Sequence, residues 1–109
     1  MAYDNKLADR IRKAMGKQPK LTEREMFGGI GFMLRGNMAC GVIGDELMVR
    51  IAKDETDATL QEPGARIFDF SGRPSQGWIM VSQSVLSRPA QLKSWIKRGV
   101  DYALSLPAK

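Results

Sequence analysis

Few residues in this 109-residue chain could do chemistry, and histidine is not among them. Its absence removes the commonest general base, the usual zinc ligand and the base of most catalytic triads. Cys40, the single cysteine, sits in a strand-like run with no basic neighbour, so it reads as a small buried hydrophobe rather than an activated thiolate. One cysteine also makes neither an internal disulfide nor a cysteine metal cage. Asp54, Glu55 and Asp57 form the densest carboxylate group. Their place at the start of a short helical stretch suits the helix dipole better than an acid–base pair. The expectation is no enzyme, no catalytic residue, no cofactor and no metal.

Three further groups invite a ligand. The run Met26-Phe27-Gly28-Gly29-Ile30-Gly31-Phe32 suggests a glycine-rich phosphate loop, but a dinucleotide fingerprint needs a helix after its glycines, and here an alternating strand pattern follows. Glycines that tighten a turn or admit a close backbone explain the run better. Arg50, flanked by Val49 and Ile51 and sharing a strand face with Met48, could hold an anion. The commoner arrangement is a structural pair with a carboxylate, for which Asp45, Asp69 and Asp101 are available. The seven methionines suit core filling or an adaptable contact surface better than soft-metal binding, because no histidine assists.

These residues need elements to hold them. Leu7, Ile11, Ala14 and Met15 recur at helical spacing between Asp4, a suitable N-cap, and Gly16, a suitable stop, so a helix is predicted there. Lys6, Arg10, Lys13 and Lys17 make a basic stripe along it. The period then shortens to two, and turn signals at Arg35-Gly36-Asn37 and Gly44-Asp45 divide a meander of strands near 22–26, 29–34, 38–43 and 46–51. A short helix capped by Asp54 is expected over 54–60. Strands over 67–70 and 78–81 follow, joined by a polar loop over 71–77. Ser87, ahead of Arg88-Pro89, opens a last helix whose Leu92, Trp95, Ile96, Gly99, Val100, Ala103 and Leu106 share one face, with Lys93, Lys97 and Asp101 opposite.

The expected architecture is one α+β domain over residues 1–109, a two-layer structure with an antiparallel sheet of five to six strands and helices on one side. If Ile30, Phe32, Leu47, Val49 and Ile51 face the helices, the other sheet face shows Gly31, Met33, Ala39, Gly41, Ile43 and Met48. That face is too apolar for open solvent, so a homodimer through Met33, Ile43 and Met48 is expected.

The net charge is +5, and its distribution is uneven. Residues 1–26 carry seven basic and four acidic side chains, 27–86 five and seven, and 87–109 five and one. The basic ends could touch phosphates, with Lys6, Arg10, Lys13 and Lys17 as candidate nucleic-acid contacts. No base-reading Asn or Gln adjoins them, so such binding would be weak and sequence-independent. A charged N-terminus without an apolar signal region, no membrane-length apolar run and a single cysteine favour the cytoplasm.

The segment Asp4 to Ile11, then Met26-Phe27-Gly28-Gly29, Gly36-Asn37-Met38, Gly41-Val42, Asp45-Glu46-Leu47 with Arg50, Gly77-Trp78 and Trp95, together resemble the TfoX N-terminal domain family. The resemblance implies an α+β domain similar to the secretion-chaperone-like architecture. It also implies kinship with regulators of bacterial competence genes that act with a cyclic-AMP receptor protein and carry a second, helical domain; this chain would be a stand-alone N-terminal domain. The expectation is a non-enzymatic regulatory or protein-interaction module whose partner is a protein, with a transcription regulator as the candidate the resemblance implies. Weak DNA binding is the alternative.

Overall fold

Asp4 starts the first helix as its spacing predicts: the carboxylate accepts from the backbone N–H groups of Lys6 at 2.9 Å and Leu7 at 3.3 Å, satisfying two of the free donors of a helix N-terminus. Helix α1 spans Asn5–Met15, buries Leu7, Ala8, Ile11 and Met15, and stops at Gly16, whose φ of 62° most residues avoid. The computed structural model describes residues 3–16, 20–26, 28–70 and 72–107.

Six strands follow: β1 (Leu21–Met26), β2 (Gly29–Leu34), β3 (Asn37–Ile43), β4 (Glu46–Arg50), β5 (Ala65–Phe70) and β6 (Arg73–Val81). They form one sheet in the order β1-β2-β3-β4-β6-β5, every neighbouring pair antiparallel. Helices α2 (Thr56–Thr59), α3 (Gln83–Leu86) and α4 (Pro89–Ser105) complete the chain. This is the expected α+β arrangement. Against one sheet face, a single core gathers Phe32, Leu34, Val42, Leu47, Val49, Ile79 and Val81 with Leu7 and Ile11 of α1 and Leu92, Trp95 and Ile96 of α4. Each such side chain contributes about 1.5–3 kcal/mol by leaving water. Helix α4 lies so close to β3 that a Cβ on Gly99 would sit 2.2 Å from the Ala39 carbonyl oxygen.

Four local expectations need correction. The stretch 73–77 is not loop but the first part of β6, paired to β5 through Phe68↔Ser75, Asp69↔Pro74 and Phe70↔Arg73; ladder pairing here overrides a turn-rich composition. Asp54 caps no helix: a 3-10 turn over Lys53–Glu55 leads into α2, and neither has a side-chain cap. Arg88, not Ser87, precedes α4, because Ser87 ends the short α3 and donates its hydroxyl to the Ser84 carbonyl. Finally, Ala39 belongs to the helix-side core. The β2–β3 pairing jumps from Phe32↔Cys40 to Met33↔Met38, leaving Ala39 as the extra residue of a bulge, which breaks simple alternation. Met38 takes its place on the other face.

Candidate functional site

The residues singled out in the sequence divide into those that build the fold and those that face outward. Gly28 turns the chain between β1 and β2 with φ of 74°. A Cβ on Gly29 would lie 2.0 Å from the Val42 carbonyl oxygen. This pair serves backbone geometry, as its place ahead of a strand suggests. Phe27 and Lys17 lie outside the described residues, and Met26 is described only as the end of β1. Asp45 is exposed in the β3–β4 turn. Trp95 is buried, with the Arg98 guanidinium 4.3 Å from its ring centroid.

Arg50 differs from its expected role. Its guanidinium lies 5.2 Å from the Trp78 ring centroid and 5.5 Å from that of Tyr102, and no described carboxylate pairs with it. Asp101, one of the candidates, holds Lys97 instead. Strand β6 supplies the first ring: it pairs with β4 in unbroken register down to Arg50, while its register against β5 jumps from Ile67↔Ile79 to Phe68↔Ser75. Trp78 lies opposite Arg50 at the end of β4, and just beyond it the Gly77 carbonyl accepts from Ile51 N–H at 2.8 Å. The buried hydroxyl of Thr56 accepts from Gly77 N–H at 2.8 Å and fixes this bend from the other side. Arginine suits such a site because a planar guanidinium stacks on aromatic faces.

The second sheet face is apolar as expected, yet the chain largely closes it. Met38, Met48 and Met80 are only 6%, 2% and 4% exposed, and Met33, Ile43, Phe68 and Trp78 pack around them. Flexible thioether side chains fill such a surface without a partner. Of the expected dimer residues, Met48 is therefore sequestered, and Met33 and Ile43 are half-buried.

The outward-facing group is the basic stripe. Arg12, on the other side of α1, is consumed by Asp9 and by a two-pronged contact with Glu23 at 2.8 Å. Those hydrogen bonds hold the Glu23 carboxyl below its ordinary range and raise the guanidinium's affinity for its proton. Arg10 instead donates to the Leu86 carbonyl at the end of α3, at 2.7 Å. One of its five donors is spent, and its charge has no described carboxylate beside it. Arg10 and Lys13 then line a groove of about 310 Å³ with Ala14, Pro89, Leu92 and Lys93. Lys6 stands one turn earlier on α1, exposed. Two larger concavities are electrostatically different: one of about 450 Å³ contains Glu55, Arg98 and Asp101, and one of about 370 Å³ contains Glu62 and Arg88, so each mixes both signs.

Comparison with known families decides the relationship: the family model of the TfoX N-terminal domain matches residues 13–103. The chain belongs to the TfoX N-terminal domain family. The match takes in every quoted motif from Met26 to Trp95, whereas the Asp4 to Ile11 segment precedes it. None of the curated proteins searched matches the sequence. Within this TfoX N-terminal domain, the described motif residues are chiefly architectural: Gly28 and Gly29 set a turn and a close approach, while Gly77 and Trp78 set the bend around Arg50.

Lys93 and Pro89 were missed by the sequence reading as site residues. Lys93 falls on the polar side of α4, the pattern of a solvated face, and only the packing of α1 beside α4 brings it across from Lys13. The basic stripe was the one available signal. The buried thiol of Cys40, pushed up to about 12 by burial, stays protonated and inert at neutral pH.

Proposed function

We propose that this chain is a non-enzymatic, cytoplasmic regulatory or protein-interaction module of the TfoX type. The observation that carries the reading is the α1–α4 face. Cations from two helices meet there around a groove with an apolar floor of Ala14, Pro89 and Leu92, and no described ion pair neutralises Arg10, Lys13 or Lys93. The groove lining combines cations with apolar side chains, an arrangement that supports the reading of a surface that holds a partner.

Crosslinking followed by affinity capture from the native cell tests the reading. The expected result is a defined protein joined through residues of this face and displaced by excess uncrosslinked chain; no displaceable protein in repeated captures would refute it. A second reading, weak and sequence-independent DNA binding, draws on the same unpaired cations.

A further inference from the structure

We infer that the α1–α4 groove receives a short acidic segment of a protein partner, one carrying at least one large apolar side chain among its carboxylates; this rests on the interaction-module reading. The charge of the site points to an acidic ligand, because the carboxylates of the two helices that form it, α1 and α4, are committed elsewhere. Asp4 caps α1, Asp9 and Glu23 hold Arg12, and Asp101 holds Lys97. Arg10 and Lys13, three residues apart on α1, and Lys93 on α4 are left facing one groove. Helix α4 begins there with Pro89, and no side chain caps its first N–H groups, so the positive end of a 17-residue helix adds to the same field.

The floor distinguishes between acidic ligands. A phosphodiester gains nothing from Ala14, Pro89 and Leu92, whereas an aliphatic side chain set between carboxylates gains burial there while its neighbours meet the cationic rim. The lining also contains no aromatic residue on which a base could stack and no Asn or Gln for base-edge readout. A nucleic acid would therefore use only the charges of this site, and an acidic protein segment would use all of it.

Fluorescence anisotropy with three labelled probes tests the assignment: a peptide with Glu and Leu at helical spacing, the same peptide with each Leu replaced by Ser, and a DNA duplex of matched charge. The Glu/Leu peptide should bind the wild-type chain best, and serine replacement should weaken it about tenfold. Lys13→Glu and Lys93→Glu should each weaken it about fivefold, while Lys53→Glu, which changes net charge equally at an exposed site outside the groove lining, should change it less than about twofold. Circular dichroism of each variant confirms folding. The assignment falls if the Glu/Leu peptide does not bind, if the duplex binds more tightly, if serine replacement has no effect, or if Lys53→Glu matches the groove variants. The broader reading has its own outcome. A cellular partner captured equally by wild type and by Lys13→Glu/Lys93→Glu leaves the interaction module standing and removes only the groove, whereas capture of nothing by the wild type removes both.

Discussion

At Gly29, the space available to a side chain ends on the backbone of the neighbouring strand, because the would-be Cβ lies 2.0 Å from the Val42 carbonyl oxygen. Backbone in a ladder cannot rotate aside as a side chain can. Gly29→Val should therefore cost more than ~2 kcal/mol, read as a lowered midpoint in chemical denaturation; an unchanged midpoint would return this glycine to the ligand-binding candidates. Arg50 gives a contrasting case. Without a buried carboxylate to orphan, Arg50→Met should cost about 0.5–2 kcal/mol, the range of a cation held over aromatic faces. Arg50→Lys keeps the charge but loses planar stacking, so it should fall between wild type and Met in the same titration. A Lys variant less stable than Met would show that another contact holds the site.

Among the elements, α1 depends on both of its surfaces. Asp4→Ala removes two N-terminal hydrogen bonds and should lower stability by ~1 kcal/mol in denaturant. The Arg12–Glu23 contact ties α1 to the edge strand β1, and its pH dependence follows from the direction of the Glu23 shift. Since the folded carboxyl is held below its ordinary 4.5, the stabilisation is fully present above that pH and is lost as pH falls through the folded value. Both side chains are more than a third exposed, which limits the effect to about 0.5–1 kcal/mol. Thermal melts of wild type and Glu23→Gln should differ at neutral pH and converge once the pH has fallen below the folded carboxyl's lowered value; a difference persisting in strong acid would mean that the glutamate acts through packing instead.

For the whole molecule, the decisive property is where its charge is left uncompensated. If Lys6, Arg10, Lys13 and Lys93 all reached phosphates, log affinity for DNA would fall with a slope of about −3.6 against log salt, a loss of roughly a hundredfold between about 50 and 200 mM. Anisotropy with two unrelated duplexes should show this loss equally for both. Selective binding that survived the higher salt would make DNA recognition the main function. The two-layer build also places the apolar second face in a new light. With Met48 and Met80 closed over within one chain, the exposure that motivated a dimer through the sheet is confined among its three expected residues to half-buried Met33 and Ile43.

The sequence by itself determined what depends on neighbours along the chain. Asp4 and Gly16 bounded α1, alternation and turn residues placed the first four strands, and the apolar face of α4 was read correctly, since each follows from local periodicity and capping. The absence of histidine and the lone cysteine likewise narrowed the chemistry before any fold was considered. Tertiary structure decided what depends on register and on elements distant in sequence. A single extra residue, Ala39, moved between faces because the bulge places it on the same side as Cys40 and breaks the alternation there. Residues 73–77 became strand because a partner was available to pair with them. Arg50 found two rings instead of a carboxylate because β6 pairs beside β4 with Trp78 opposite Arg50, and α4 brings Tyr102 to the same guanidinium. Lys13 and Lys93, 80 positions apart in the sequence, became one site only because α1 packs beside α4 over the same sheet. No local pattern encodes that meeting, since it is produced by two helices burying their apolar stripes in a common core and turning their unpaired charges toward the seam between them.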